Sequence, residues 1–374
     1  MSRLFDAMTR PKLISIVITN FNYERFLPHA IDSALRQTYS PLEVIVVDDG
    51  STDGSREIIA QYGEQIRPVL RENGGNAAAY NSGFAASRGD IVLFLDSDDA
   101  LYHDAARLLA ASWTPDTCKA QFYLDVVDAE GRALGPRAPN VPFTERPVLP
   151  LLRTYGYYPS PPASGNAYSR AVLERIMPVA EGTWRMGIDG LLNAVVALHG
   201  RVTSIHRSLG IWRHHDRNHS EASGAELWKI RRDLLNEVNR EAALKQYAAA
   251  LGRPIRQELS LRIPGHCKGR LLSLKLAPEL HPFAEDRIWH LVLAGIVASW
   301  RFPHHSVMKR LSAIAVFPLL AVLPNLWVAQ QLDPIIVAHR RYRWLRDQFL
   351  RRARRAANGP DEDSGWLNPP SEQR

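Results

Sequence analysis

The sequence predicts an α/β protein: a mainly parallel sheet with helices on both faces, followed by a helical region of different character. Three observations carry this. Short runs rich in β-branched residues alternate with stretches of helical spacing from residue 13 to 95, the pattern of parallel strands joined by helical crossovers. Two of those strands run straight into carboxylates, Asp48-Asp49 and Asp96-Ser97-Asp98-Asp99, at the edge where open α/β sheets bind ligands. From residue 288 onward, apolar runs bounded by basic residues replace the alternation.

The elements follow in order. Residues 13–19 (Leu-Ile-Ser-Ile-Val-Ile-Thr) read as a buried strand. Residues 26–37 read as a helix with Phe26, Leu27, Ala30, Ile31, Ala34 and Leu35 on one stripe. Strand 42–47 leads through a Ser/Asp/Gly turn into a helix over 55–62, and 66–70 gives a third strand. A helix of small residues over 76–87 and a strand over 91–95 complete this half. A strand is expected at 122–127, then a long proline-rich stretch reaching Pro162, long enough to be a binding loop or lid. Tyr155, Tyr157 and Tyr158 within it either stack on a sugar or pack the loop. An apolar helix over 187–199 opens with Asp189, and short strands follow at 201–205 and 210–213. A long amphipathic helix over 222–251 places Leu227, Ile230, Leu234 and Val238 on one face.

The last third contains apolar runs at 288–300 and 311–328, the second broken by Pro318 and Pro324. A spanning helix needs about 20 apolar residues, so these fit interfacial or re-entrant helices better. Between positions 340 and 355, eight arginines stand against Asp347 alone. That segment accounts for the whole net charge of +7, which excludes a nucleic-acid binder basic throughout and fits contact with anionic head groups. The expectation is a protein held peripherally or monotopically at the cytoplasmic face of the membrane. A chain of 374 residues with 45% hydrophobic content allows one large domain or two moderate ones. Two distant cysteines, Cys118 and Cys267, argue against a disulfide framework, and the N-terminus shows no secretory signal.

Asp96, Asp98 and Asp99 crowd like charges where a strand stops, and a hard divalent cation, Mg²⁺ or Mn²⁺, would relieve that repulsion. Asn73-Gly74-Gly75-Asn76 forms a turn before a helix. Its N–H groups either face a phosphate or ribose or serve the turn alone. No Gly-x-Gly-x-x-Gly follows the first strand, as a dinucleotide-binding dehydrogenase would need, and no P-loop is present.

Thr19-Asn20-Phe21-Asn22-Tyr23, Val47-Asp48-Asp49-Gly50-Ser51-Thr52-Asp53-Gly54, Glu72-Asn73-Gly74-Gly75-Asn76 and Asp96-Ser97-Asp98-Asp99 together resemble family 2 glycosyltransferases of the GT-A fold, over roughly residues 12–220. The resemblance implies a nucleotide-binding half (12–112) and an acceptor half (113–220). Outside it, the residue pattern suggests a leading tail (1–11), a helical extension (221–287), a membrane-associated region (288–356) and a tail (357–374). The resemblance also implies inverting transfer of a sugar from a nucleotide-diphosphate donor, UDP-linked, assisted by Mn²⁺ or Mg²⁺; the membrane-facing C-terminus adds, by association, the expectation of a glycan or lipid-linked acceptor. Thr19, Phe21 and Asp49 are implied to surround the base, with Asn76, Asp96, Asp98 and Arg213 also meeting the nucleotide. Asp98, Asp99 and His215 are the implied metal ligands. Trp212-Arg213-His214-His215 resembles the family's aromatic-Arg-x-His segment, with Arg213 a fork donor to the diphosphate. Asp189 is implied as the general base, acting alone because Ile188 stands where relatives often carry a second acid. The alternative is a non-catalytic sugar-nucleotide-binding or scaffold protein of the same fold.

Overall fold

The structure, a computed structural model, describes residues 12–215, 227–255, 258–303 and 305–325. β1 (Ile14–Asn20), α1 (Leu27–Leu35), β2 (Leu42–Asp49), α2 (Ser55–Gln61), β3 (Arg67–Arg71), α3 (Asn76–Ala86) and β4 (Ile91–Asp96) alternate as the sequence predicts. β5 (Ala100–Leu101), α4 (Ala105–Ser112), β6 (Thr117–Val127), α5 (Leu149–Tyr155), β7 (Asn166–Ser169), α6 (Arg170–Leu173), α7 (Ile188–Val196) and β8 (Arg201–Arg213) follow. Four helices close the described chain: α8 (Leu227–Ala250), α9 (Pro264–Leu276), α10 (Ile288–Arg301) and α11 (Val307–Val322).

One eight-stranded sheet runs β3-β2-β1-β4-β7-β6-β8-β5. Only its first half is parallel throughout, with β1 paired to β2 and β4, and β2 to β3. β7 lies antiparallel to β4 and β6, and β5 antiparallel to β8, so the expected mainly parallel sheet is a mixed one. The two short strands expected at 201–205 and 210–213 are one strand, β8, whose register against β6 slips near Tyr123.

The near-continuous apolar reading of β1, β2 and β4 follows from burial on both faces. Ile14, Ile16 and Ile18 pack with Leu27, Ala30, Ile31 and Ala34 of α1 on one side. Val17, Ile45, Val47 and Phe94 pack with Ala77 and Tyr80 of α3 and Leu191, Leu192 and Val195 of α7 on the other. That second layer carries α7, and hence Asp189, to the sheet.

The described residues up to Val322 belong to one compact unit. α8 lies on α7 through Leu244 and Ala248, while Val238, expected on its buried face, is exposed. Tyr155 and Tyr157 are bound to the C-terminal helices: the Tyr155 hydroxyl donates to the Arg301 carbonyl (3.0 Å), and both rings meet Phe302. Tyr158 is buried. Packing is therefore what all three tyrosines do. Among the described residues no helix is long and apolar enough to cross a membrane. The arginine-rich segment 340–355 lies outside the described residues.

Candidate active site

The strand register builds the site edge. Thr19 pairs with Asp96 and Asn20 with Asp48, so the carboxyl ends of β1, β2 and β4 are level. The exposed ring of Phe21 and the half-buried Thr19 stand at the end of β1. Two groups of acids share this edge, and their surroundings differ.

Asp48 and Asp49 are buried and furnished with donors. Asp48 accepts from Asn20 Nδ2 (3.1 Å), the Ser51 N–H (3.0 Å) and Arg56 Nε (2.9 Å). Burial alone would raise its pKa; the bonds from Ser51, Arg56 and Asn20 outweigh that and hold it below the ordinary carboxylate value. Asp49 pairs with Arg71 and accepts from the N–H groups of Gly74 (3.0 Å) and Gly75 (2.7 Å). Gly75 has φ +87°, a backbone that L side chains rarely adopt, and a Cβ there would strike Arg185. The next two N–H groups, of Asn76 and Ala77, donate to the carbonyls of Arg185 (3.0 Å) and Trp184 (3.2 Å). The turn before α3 therefore spends its N–H groups within the chain. Of the two readings of this turn, these bonds favour the one in which its N–H groups serve the chain itself.

Asp96, Asp98 and Asp99 are crowded. One carboxylate oxygen from each lies within 4.8 Å of the others. Burial, then the charges of Asp98 and Asp189, push Asp96 well above the ordinary carboxylate value. Burial, then Asp98 and Asp96, do the same to Asp99, opposed by bonds from Ser164 and Arg213. Asp99 is the strut of the cluster: Oδ2 accepts from Ser164 Oγ (2.6 Å) and Oδ1 from the Arg213 N–H (2.9 Å). Ser164 also accepts from the Asp96 N–H (3.0 Å), so one buried hydroxyl spans the motif. Asp98 Oδ2 meets His215 Nε2 at 3.0 Å. The His215 ring stacks on Phe26 (4.8 Å between centroids) with Tyr23 against its edge (5.4 Å). The donor set fits a hard cation: Asp98 and His215 converge from two segments, and among the described residues none donates to the Asp96 carboxylate.

Arg213 does not offer the expected free fork. It is buried; Nε donates to the Asp98 carbonyl (2.9 Å), Nη1 to those of Ala129 (3.2 Å) and Asp128 (3.4 Å), and Nη2 meets His29 Nδ1 (2.9 Å). Burial, then the Arg213 charge, lowers His29, which leaves a neutral ring to accept at Nδ1. Arg213 thus ties β8 to the cluster and carries its positive charge beneath it.

Asp189 opens α7, half-buried. Burial raises its pKa, opposed by the Gly190 N–H and by the positive charges of Lys119 and Arg240. A buried polar network supports its helix: Lys119 Nζ bonds Ser160 Oγ (2.7 Å) and Tyr158 OH (2.9 Å), and Tyr158 OH donates to the Asn193 carbonyl (2.8 Å). Tyr168 OH reaches Asn193 Oδ1 (3.1 Å). Burial pushes Lys119 far below its ordinary value. Ser164, His29 and Lys119 escape sequence reasoning, because nothing local marks a serine after prolines or one histidine in a helix. Lys119 carries a faint signal, a lysine between apolar residues.

Acids assembled at the carboxyl edge of an α/β sheet, with Asp189 near enough for its charge to act on Asp96, fit a group-transfer site, and the comparisons name its class. A sequence profile described as Glycosyl transferase family 2 matches residues 15–146. An uncharacterized glycosyltransferase of Nostoc sp., alr2836, is 37% identical over 219 residues, covering 57% of this chain and 68% of that protein. EpsJ of Bacillus subtilis, an uncharacterized glycosyltransferase, is 43% identical over 90 residues, 23% of this chain and 26% of that one. Among solved structures, S. aureus TarS 1–349 in complex with UDP-GlcNAc is similar with a TM-score of 0.48 and 17% identity, covering 82% of this chain and 90% of that chain. The protein is a glycosyltransferase, and it belongs to glycosyltransferase family 2.

Proposed function

We propose that the enzyme transfers a sugar from a nucleotide-diphosphate donor, with UDP-linked sugars first to test, to a hydroxyl of a glycan or lipid-linked acceptor, by metal-assisted single displacement. The observation that carries this reading is the crowding of Asp96, Asp98 and Asp99, with His215 on Asp98, at the edge that Asp189 also reaches. Asp98 and His215 are the principal metal ligands, and Asp96 faces the nucleotide. Asp99, each oxygen already accepting one bond, contributes less. A divalent cation there supplies offset for the charge that develops on the leaving diphosphate.

The chain's own part is positional and protonic. Asp49, held rigid by Arg71 and the Gly74–Gly75 turn, presents its remaining lone pairs to a pyrimidine N–H, beside Phe21 and Thr19. Asp189 takes the acceptor O–H proton as that oxygen bonds to the anomeric carbon; the bond from carbon to diphosphate oxygen breaks, and the diphosphate leaves with the electron pair. Burial, which raises Asp189, makes it a better proton acceptor at neutral pH than an ordinary carboxylate. Attack opposite the leaving group inverts the anomeric configuration.

The test is transfer from a panel of UDP- and GDP-sugars with Mn²⁺, Mg²⁺ or a chelator, with NMR of the product anomer. Transfer that survives the chelator unchanged removes the metal from the reading. A retained anomer removes the single displacement.

A further inference from the structure

We propose that the outer face of α10 and α11 docks on an anionic lipid leaflet, lying in its plane. Three independent features point to that occupant: an apolar face on two packed helices, the sign of its border, and the length of its elements.

α10 and α11 pack on each other where the Phe317 ring lies over Gly295, so close that a Cβ at Gly295 would overlap the ring. Lys275 Nζ fastens the end of α11 by donating to the carbonyls of Leu320 (2.8 Å) and Ala321 (2.6 Å). The pair is thus anchored on one side. On the other, α10 exposes Trp289, Leu293, Val297 and Trp300, spaced four, four and three residues apart, which is a single helical face. α11 exposes Leu311, Ile314, Leu319 and Val322. Large apolar side chains exposed in this number on two packed helices mark an interaction site. An indole at each end of the α10 stripe suits a membrane–water interface, where one part of the ring is apolar and the N–H is wet.

The border is cationic. Between Asp286 and Asp333 the sequence holds no acidic residue, and its charges are Arg287, Arg301, Lys309 and Arg310. Such a rim matches lipid phosphates. It disfavours a twofold contact between two copies, which would bring like charges together. Length excludes crossing: the 16 residues of α11 extend only about 24 Å at 1.5 Å per residue, short of a hydrocarbon core of about 30 Å.

The inference stands apart from the catalytic reading, and its test needs no activity. The full chain is floated with vesicles of phosphatidylcholine alone or mixed with phosphatidylglycerol, then washed in high salt. Expected is flotation with the anionic vesicles that persists through the wash. Leu293→Asp with Leu319→Asp, both at exposed positions, should weaken binding by at least about tenfold at an unchanged melting temperature. Trp289→Phe with Trp300→Phe should reduce the blue shift of indole emission on vesicle addition. Flotation that is absent, equal in the Asp variant, or lost on the salt wash overturns the proposal. So does a dimer in light scattering that the Asp variant dissolves without any wild-type flotation.

Discussion

Two acid groups stand at the same edge of the same sheet, and the chain treats them in opposite ways. Asp48 and Asp49 end β2 among Arg56, Arg71, Asn20 and three backbone N–H donors of the following turns. Asp96, Asp98 and Asp99 end β4 and meet chiefly one another, with Ser164, His215 and the Arg213 backbone as their partners. Both follow an apolar strand, so the sequence pattern is alike. The first group is a finished structural joint whose remaining lone pairs can be offered in a fixed direction. The second keeps three carboxylates close together, a crowding that a cation would ease. A folded protein keeps such crowding where a ligand uses it.

The largest expected effect lies on the crowded side. Asp189→Asn removes a proton acceptor and little shape, so transfer should fall by about 10²–10⁴-fold while donor binding stays. Near-normal turnover would send the base elsewhere and break the contrast at its catalytic end.

On the finished side, Asp49→Ala strands the Arg71 guanidinium and two N–H groups, and breaking a buried pair costs about 3–5 kcal/mol. Urea denaturation reads this directly; a loss comparable to an ordinary surface substitution would show that the joint is not structural. Mn²⁺ at a hundredfold excess over its Kd should then stabilise the wild type by about 2.7 kcal/mol. Asp98→Asn and His215→Ala should abolish that gain. A melting temperature that rises equally in all three proteins would place the ion away from Asp98.

The smallest effect is the most direct test of sign. Asp96 is raised, so its contribution to stability is present at low pH and is lost as pH rises through its elevated value. Asp96→Asn should therefore stabilise the metal-free protein at neutral pH, on the order of 1 kcal/mol, the size of an ordinary single-site effect. Asp48 is lowered, so its contribution is present above the ordinary carboxylate range and is lost as pH falls through its depressed value. Asp48→Asn should cost stability at neutral pH. Thermal melts across pH would reverse the comparison if both substitutions moved stability in the same direction.

The parallel half was legible residue by residue, from the β-branched run of β1 to the carboxylates after β4. Beyond residue 113 the reading weakened for an identifiable reason. β6 begins at Thr117, five residues before the expected start, because Lys119 and Gln121 interrupt the apolar pattern. Both are nevertheless buried, satisfied by Tyr158, Ser160 and Ser204, partners some forty to eighty residues away. Binary patterning sees polarity, and it cannot see satisfaction. β5 and β7, with two and four residues, are too short to carry a periodic signal. The tyrosines of the proline-rich loop were ambiguous until Phe302 supplied a packing partner.

The sequence by itself determined the family, the strand-and-helix alternation, the two acid motifs and the apolar–basic character of the C-terminal third. These depend on local spacing and on residue type, which the chain states openly. Only the tertiary structure decided which acids are neutralised, because that depends on donors delivered from elsewhere: Arg71 and the Gly74–Gly75 turn to Asp49, Ser164 and Arg213 to Asp99. It alone showed that Arg213 directs its donors to the chain, and that α10 and α11 expose large apolar side chains among the described residues. Charge belongs to the residue, but its electrostatic cost belongs to the neighbours, and those are chosen by packing.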